Sequence, residues 1–413
     1  MQTSHNLRID SDRLWHSLME MAKIGGTPRG GCNRQALTGE DAEGRALFTR
    51  WCEAAGCTVT VDRLGSMFAR REGLEDLPPI LIGSHLDTQP TGGKFDGVLG
   101  VLAGLEVIRC LNETGIRTRR PIEIVNWTNE EGCRFAPAML ASAVFAGIHD
   151  EKAALDTRDA AGLRLGDELA KMGQACAAPV GGREIAAYLE LHIEQGPILE
   201  AEGFDIGFVT GGQGLYWFDA IFRGFESHAG PTPMPRRRDA LLGAARFIER
   251  INEIGLAFPP LAVSTVGEMH VLPNSRNVIP GEVKLTVDIR HPDAAILARM
   301  AERVRQAFDE TLRIAKLEGE LVEILHSPAV PFESSILDII REETAALGLT
   351  GRDIVSGAGH DAVHLAKVIP SAMIFTPCHD GISHNEAENI QPGWASAGAN
   401  VLLRTALKLA DRP

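Results

Sequence analysis

The sequence predicts an α/β protein of two domains, a larger one with a mostly parallel, mixed sheet flanked by helices and a smaller inserted α+β one. The chain has 413 residues, and a single hydrophobic core stops growing at roughly 250–300 residues. Apolar runs alternate with helical patterns in both end segments, as in βαβ units. The middle of the chain instead carries several strands around two helices, which is typical of an α+β unit.

The first part of the chain begins with a helix and a strand. Thr38 opens a variant capping box, with Asp41 in the place of the usual Glu or Gln, and the periodic stretch runs to Gly56. Residues 57–62 then have the pattern of a strand. The elements that follow are an apolar run at 79–84, a helical pattern at 98–111 and an apolar run at 122–127. Together they predict a βαβ crossover and hence a parallel sheet.

The pattern changes between residues 212 and 327. The predicted elements there are strand 215–222, helix 239–256, strands 262–271 and 282–289, helix 293–316 and strand 320–326. They predict a four-stranded antiparallel sheet with two helices on one face. Helix 333–347, strand 372–376 and helix 394–409 then resume the first pattern. The larger domain is therefore expected to be discontinuous, with residues 1–211 and 328–413, around an inserted domain of residues 212–327.

The composition narrows the class of partner. A formal net charge of −14 disfavours nucleic acid and anionic membranes as partners, because proteins bind both through Lys and Arg side chains that contact phosphates. No stretch is apolar for the roughly 18 residues that a membrane span needs, and the N-terminus has no signal-peptide pattern. We therefore expect a cytoplasmic protein with a small-molecule substrate.

Seven Cys without a CxxC pair indicate a reducing compartment. Cys378 is interpreted as a small buried hydrophobic residue.

Candidate chemistry follows three of the predicted strands. His85 comes directly after the run 79–84, Glu130-Glu131 follows the run 122–127, and His192 ends an alternating apolar run that begins at Tyr188. In open α/β sheets, ligands bind outside the carboxyl ends of the strands. Imidazole nitrogen and carboxylate oxygen are the ligands of borderline divalent metals. The sequence therefore favours a metal site at this edge of the sheet.

Each of these residues also has a simpler interpretation. Asp96, in a glycine-rich turn, could cap the helix 98–111, and an adjacent Glu pair is often solvated, although burial without a cation would be costly. A single His such as His384 is usually structural. Asp87, two residues after His85, could orient the imidazole. What favours the metal site is that all of these residues lie in Gly-flanked loops.

The motifs resemble those of a known family. The strings are SHLDTQPTGGKFDGVLGV, NEEGCRF, HIEQGPILE, SHAGPTPMPRRRDAL, NSRNVIPG, DIRHPD, SGAGHDA and GISHNEAE. Their order and spacing, from about Ser84 to Glu388, are similar to those of the hydantoinase/carbamoylase amidases, a branch of the co-catalytic zinc hydrolases that includes aminoacylases and carboxypeptidases.

The resemblance implies a centre of two divalent metal ions, with zinc expected first and manganese, cobalt or nickel as alternatives. Asp96 would bridge the ions, Glu131 and His384 would complete one shell, and His85 and His192 the other. Asp87 would orient His85. Glu130 would be the general base that takes a proton from the attacking water.

The resemblance also assigns His228, a residue of the inserted domain, and the chemistry of further residues suggests where a substrate would bind. His228 would stabilise the oxyanion from the partner subunit of a homodimer formed through that domain. Arg290, with Asn277 and Gln195, would hold a substrate carboxylate, although Arg290 could instead pair with a surface acid. Gly359, at a predicted helix start, would contact substrate. Arg236–Arg238 is interpreted as a solvated face and His360 as structural.

The implied reaction is hydrolysis of the carbamoyl C–N bond of N-carbamoyl amino acids, of the L-α or β-alanine type, to amino acid, carbon dioxide and ammonia. Allantoate amidohydrolase is one alternative, but Gly214–Trp217 is apolar where allantoate enzymes tend to carry an Arg. A second alternative is an N-acyl amino acid hydrolase, which the string HIEQGP disfavours. A third alternative is a non-catalytic, metal-stabilised binding protein, which the presence of Glu130 and His228 disfavours.

Overall fold

The computed structural model describes residues 7–173 and 178–412. These residues form two compact units. The larger unit comprises the described residues up to Gly211 together with those from Pro331 onwards, and the smaller unit is Gly212–Val330.

The strands are numbered in chain order. They are β1 (Thr58–Val61), β2 (Met67–Arg71), β3 (Ile80–His85), β4 (Ile122–Trp127), β5 (Ala187–Ile193), β6 (Ile206–Gly212), β7 (Gly214–Arg223), β8 (Ser227–His228), β9 (Val263–Thr265), β10 (Met269–Leu272), β11 (Val278–Ile279), β12 (Glu282–His291), β13 (Glu318–Ser327), β14 (Val330–Pro331), β15 (Gly351–Ser356) and β16 (Ser371–Thr376).

The α-helices are numbered likewise. They are α1 (Ser11–Lys23), α2 (Gly39–Ala54), α3 (Val98–Glu113), α4 (Leu140–Phe145), α5 (Glu151–Asp156), α6 (Leu165–Lys171), α7 (Ile198–Glu202), α8 (Ala240–Leu256), α9 (Ala294–Ala315), α10 (Ser334–Ala346), α11 (Asp361–Leu365) and α12 (Pro392–Ala410).

The larger unit is built on a nine-stranded mixed sheet. Its order is β1-β2-β4-β3-β5-β16-β6-β14, and β15 also pairs with β6. The four central strands, β4, β3, β5 and β16, are parallel, while β1, β2 and β6 join antiparallel. The predicted mostly parallel, mixed sheet is confirmed. Because the central strands are parallel, their carboxyl ends all lie at one edge.

Burial explains why the central strands were recognisable. Every residue of β3, β4, β5 and β16 is buried, and a strand covered on both faces tends to be mostly apolar in sequence. β4 coincides with the predicted run, whereas β2 and α1 lie in segments for which no element was predicted. Helices α1, α3, α10 and α12 pack on one another, and α4 and α11 form a separate contact.

The capping box before α2 differs in one detail. Thr38 accepts a hydrogen bond from the Asp41 N–H at 3.3 Å, as expected. The Asp41 carboxylate reaches back to the N–H of Leu37, at 2.8 Å, instead of that of Thr38. Its other partner is Arg45, at 2.8 Å, and both side chains are buried. The short acid therefore serves the helix start and a buried ion pair together.

The smaller unit contains an antiparallel sheet of order β10-β12-β7-β13, in which β9 also pairs with β12. The prediction of four strands is wrong in one respect, because the predicted strand 262–271 is two strands. The chain leaves the ladder between β9 and β10, where Gly267 lies, and both pieces pair with β12. A further two-stranded sheet pairs β8 with β11.

Alternation along β7 and β12 divides the faces of this sheet. Phe218 and Phe222 of β7 point into a core shared with α8 and α9, where Phe222 packs against Phe247 and Phe308. On the opposite face Trp217 is 42 % exposed. The edge strand β13 is exposed along most of its length.

Within the described ranges, no helix is long and apolar enough to cross a membrane. The six cysteines there are free thiols, and Cys378 is fully buried, as predicted.

Candidate metal centre

The carboxyl ends of the parallel strands bring the predicted metal ligands together. His85 is the last residue of β3, His192 lies near the end of β5, and Glu131 follows β4. Asp96 lies in the turn before α3, and His384 lies in the loop after β16. Four of the five are buried, whereas the His384 side chain is 52 % exposed. This edge is where the sequence predicted a site.

His85, Asp96 and His192 form the first donor group, whose ligand atoms all lie within 4.8 Å of one another. Nε2 of His192 is 3.1 Å from Oδ1 of Asp96, and Nε2 of His85 is 3.5 Å from the same oxygen. Asp96, Glu131 and His384 form the second donor group, within the same limit. Nε2 of His384 is 3.3 Å from Glu131 Oε2 and 3.5 Å from Asp96 Oδ2. Asp96 thus offers one oxygen to each group.

The tautomers of the two buried imidazoles are set by main-chain carbonyls. Nδ1 of His85 lies 2.9 Å from the carbonyl oxygen of Asp87, and Nδ1 of His192 lies 2.9 Å from that of Ile193. A carbonyl oxygen only accepts, so each Nδ1 carries a hydrogen, and each Nε2 faces Asp96. A proton or a metal ion must lie between each Nε2 and the carboxylate oxygen, because both atoms otherwise present lone pairs to one another. The donor set of nitrogen and oxygen therefore fits a divalent metal ion.

The structure corrects the expected contact of Asp87. Its carboxylate is 3.9 Å from His85 Nδ1, too far for a hydrogen bond, and the main-chain oxygen takes that place. The carboxylate instead accepts the N–H groups of Glu130 and Glu131, at 3.3 and 3.2 Å. Asp87 therefore connects the loop after β3 to the loop after β4.

Glu130 belongs to neither donor group. It is 7 % exposed, and its Oε2 lies 3.4 Å from Nε2 of His85. Burial raises the pKa of Glu130 well above its usual range; His85 opposes this shift, and the carboxylates of Asp361 and Glu131 add to it. A carboxyl group with a raised pKa is suited to hold a proton near neutral pH.

Without a metal ion, the ionisable groups of the site shift one another's pKa values. Burial favours the neutral form of Asp96, but hydrogen bonds from His192 and His85 hold its pKa well below the usual range. Burial lowers the pKa of His85, but Glu130 and Asp96 outweigh it and raise it well above normal. Burial and Asp96 raise the pKa of Glu131 to about 8. The cluster therefore attracts positive charge.

Two glycines of the turn around Asp96 are required by its packing. Gly97 has a φ of 67°, and a Cβ there would lie 2.4 Å from the His85 ring. A Cβ on Gly93 would lie 1.9 Å from the carboxyl carbon of Glu388. The glycine-rich turn thus allows both His85 and Glu388 to approach the backbone around Asp96.

Two residues beside Asp96 received no role from the sequence. Glu388, which is 1 % exposed, accepts the N–H groups of Phe95 and Asp96. The hydroxyl of Ser383 lies 2.7 Å from Asp96 Oδ2. Both residues occur in the motif GISHNEAE, and neither belongs to a possible donor group among the described residues.

Gln195 and Gly359 also lie in the larger unit. The Gln195 amide donates to Asp96 Oδ2 at 2.8 Å, so it contacts the metal cluster, and its predicted contact with substrate stays a prediction. Gly359 precedes α11, and a Cβ there would lie 2.7 Å from the Met139 side chain. α11 has only five residues, so the free N–H groups at its start offer little attraction for an anion or a carbonyl oxygen.

His360 forms a third possible donor group with Glu190 and His192. The Glu190 carboxylate already accepts from Ser84, Tyr188 and the Ala362 N–H. Nε2 of His360 has no hydrogen-bond partner among the described residues, and its ring packs edge-on against His192 with centroids 4.5 Å apart. Burial, assisted by His192, lowers the pKa of His360 well below normal. These contacts fit the structural interpretation of a neutral His360.

The predicted oxyanion donor and one predicted substrate amide are neighbours in the smaller unit. His228 is exposed on β8, and its Nδ1 accepts the N–H of Gly230 at 3.0 Å. In the neutral ring Nε2 therefore carries the hydrogen, as an oxyanion donor requires. Asn277 lies beside it, because its carbonyl accepts the Ala229 N–H.

Two arginines of the smaller unit, Arg290 and Arg237, have partners of their own. Arg290 on β12 makes a two-pronged ion pair with Asp288, at 2.7 to 3.2 Å, the surface-acid pairing considered as its alternative. Arg237 donates to the carbonyls of Ala229 and Thr232. The expected solvated face at Arg236–Arg238 is thus wrong for Arg237, which braces the turn after His228.

Comparison with known proteins identifies the family. Residues 81–408 match the model of peptidase family M20/M25/M40. The chain belongs to this family. It is 50% identical over 407 residues to the N-carbamoyl-L-amino-acid amidohydrolase of Rhizobium meliloti, an alignment that covers 98% of each chain. The family places the chain among metal-dependent hydrolases that act on C–N bonds.

Two further similar proteins agree with the motif analysis. The crystal structure of a hydantoinase/carbamoylase family amidase from Burkholderia multivorans is similar with a TM-score of 0.95 and 55% identity, covering 98% of this chain and 99% of that one. A ureidoglycolate hydrolase of Arabidopsis thaliana is 31% identical over 417 residues, covering 98% of this chain and 88% of the relative. The predicted resemblance is confirmed.

Proposed function

We propose that this protein is a binuclear amidohydrolase that cleaves N-carbamoyl amino acids into the amino acid, carbon dioxide and ammonia. The observation that carries the proposal is the position of Asp96, with one carboxylate oxygen in each of two donor groups. The relative from Rhizobium meliloti, named for this substrate class, supports it.

Two divalent ions would be held by five side chains. His85 and His192 would hold one ion, and Glu131 and His384 would hold the other. Asp96 would bind both ions. Zinc is proposed, and manganese, cobalt or nickel would accept the same donors. Bound there, the ions supply Lewis acidity, which lowers the pKa of water and polarises a carbonyl group.

Glu130 would transfer the proton. It accepts one from the attacking water and delivers it to the departing nitrogen, roles that suit a buried carboxyl group with a raised pKa. The Glu130 N–H is held by Asp87, which fixes the backbone from which the side chain extends.

We propose substrate contacts for five side chains or backbone positions. His228 would donate from Nε2 to the oxyanion, and the bond from Gly230 supports that tautomer. Arg290 and Asn277 would bind the substrate carboxylate, with Arg290 exchanging Asp288 for it. Gln195 and Gly359 would complete the contacts.

A homodimer through the smaller unit is part of the proposal, as is a cytoplasmic location. The edge strand β13 exposes Val322, Ile324 and Leu325, and Trp217 is exposed on the neighbouring strand. A long apolar edge of this kind calls for a covering partner. A second copy of the chain would cover it.

A panel of substrates tests the reaction. Ammonia release would be measured with N-carbamoyl-L-α-amino acids, N-carbamoyl-β-alanine, allantoate, ureidoglycolate and N-acetyl amino acids, using metal-free protein resupplied with each ion. We expect the highest kcat/KM with an N-carbamoyl amino acid. A preference for ureidoglycolate would move the assignment towards the Arabidopsis thaliana relative, and no hydrolysis of any of them would contradict the proposal.

A further inference from the structure

We infer that Glu388 is a positioning residue that holds the Asp96 carboxylate between the two donor groups. The inference rests on the proposed two-metal function, because it concerns how the shared ligand is aimed. Glu388 would touch neither metal nor substrate and would act through the position that its contacts give to Asp96 and to the loop of His384.

The contacts of Glu388 join the loops that carry two of the proposed ligands. Its Oε1 accepts the N–H of Phe95 at 2.9 Å and the N–H of Asp96 at 3.1 Å. Its Oε2 lies 3.1 Å from the hydroxyl of Ser383, the residue before His384. One carboxylate therefore fixes the backbone of Asp96 relative to the loop of His384.

Ser383 links Glu388 to the side chain of Asp96 as well. Its hydroxyl lies 2.7 Å from Asp96 Oδ2 and 3.1 Å from Glu388 Oε2. The one hydroxyl hydrogen serves one of these oxygens at a time. Asp96 Oδ2 also accepts the Gln195 amide, so the oxygen assigned to the second donor group is oriented from two sides.

The Glu388 carboxyl group is buried against Gly93. It is 1 % exposed, and a Cβ on Gly93 would overlap it. Two buried carboxylates close together are unfavourable without compensation, and an apolar side chain would fill the same space without repelling Asp96. The two backbone N–H groups that Glu388 accepts offset the cost of burying its charge, and the same hydrogen bonds fix the backbone of Asp96. We therefore assign a positioning role to Glu388.

The test compares Glu388→Ala and Glu388→Gln with Glu386→Gln. Glu386 lies in the same loop but bonds to Thr27 and Arg29, so it is the matched control. Each metal-free variant would be titrated with Mn²⁺. The readouts are the two dissociation constants, the electron paramagnetic resonance signal of the spin-coupled pair, and kcat and KM for the best substrate of the wild type.

For Glu388→Ala we expect one or both ions to bind about 10–100-fold more weakly, the effect common for groups that orient metal ligands, with loss of the coupled signal and a lower kcat. Glu388→Gln keeps an oxygen for the two N–H groups and should restore part of the affinity. Gly93→Ala should reproduce the weakened binding with Glu388 present. Glu386→Gln should match the wild type.

Wild-type affinities and coupled signal in Glu388→Ala would overturn the inference and leave the proposed function intact. A wild-type protein that binds no pair of Mn²⁺ ions would overturn the proposed function, and this inference with it. If the alanine variant does not fold, as judged by circular dichroism, Glu388→Gln and Gly93→Ala decide, and wild-type Mn²⁺ binding in both would overturn the inference.

Discussion

Oδ1 of Asp96 lies 3.1 Å from Nε2 of His192, whose Nδ1 is directed to the carbonyl oxygen of Ile193. The second oxygen of Asp96 faces His384. Since the same carboxylate serves both donor groups, its loss should affect both metal ions, whereas the loss of a ligand at one end should affect one.

Asp96→Ala is therefore expected to lose both ions, and His384→Ala to keep the ion of the first donor group. Metal content after gel filtration, measured by inductively coupled plasma mass spectrometry, checks this. The control is His379→Ala in the same loop, since His379 pairs with Glu200. Equal retention of metal by Asp96→Ala and the wild type would remove Asp96 from the centre.

Metal binding should release protons. In the metal-free protein Glu131 has a pKa of about 8, and the pKa of His85 is raised well above normal, so both hold protons at pH 7. A bound ion needs the carboxylate and the neutral imidazole. The apparent affinity should thus increase as the pH rises from 6 towards 8. Calorimetric titration in buffers of different ionisation enthalpy measures the protons released, and a pH-independent affinity would contradict the assigned ligands.

His228→Gln should lower kcat by roughly 10²–10³-fold, the cost typical of one lost oxyanion donor, with unchanged metal content. Steady-state kinetics on the metal-loaded protein measure this. His270→Gln, an exposed histidine of the same unit that pairs with Glu268, serves as the control. A kcat equal to that of the wild type would exclude His228 from the reaction.

Arg290→Ala should mainly raise KM. Loss of a paired charge costs roughly 2 kcal/mol or more in binding, which is about 30-fold. An N-carbamoyl amino acid amide, which lacks the carboxylate, should show equal KM values for the variant and the wild type. If the variant raised KM for both substrates alike, Arg290 would not bind the carboxylate.

Much of this centre was predictable because short-range patterns encode it. β4 was recognisable as a mostly apolar run, and the ligands follow strands in Gly-flanked loops. Glu388 was missed because its bond to the Asp96 N–H spans 292 residues, and no local pattern reports such a contact. The contact of Asp87 was assigned to the wrong atoms, since spacing alone does not distinguish a carboxylate from the main-chain oxygen of the same residue.

The smaller unit shows the same limit. Alternation predicted β7 and β12, whose inward residues are buried, but it merged β9 and β10 because apolar residues continue through the interruption near Gly267. Arg237 looked like part of a solvated charge run, and only the folded turn shows its bonds to the carbonyls of Ala229 and Thr232.

The proton-transfer role of Glu130 is the central claim, and Glu130→Gln tests it most directly. The variant keeps the size of the side chain and removes the basic group, so kcat for the best N-carbamoyl amino acid should fall by roughly 10²–10⁴-fold. Its content of two metal ions and its binding of substrate should match those of the wild type. Turnover at the wild-type rate in a variant that still holds both ions would contradict the account.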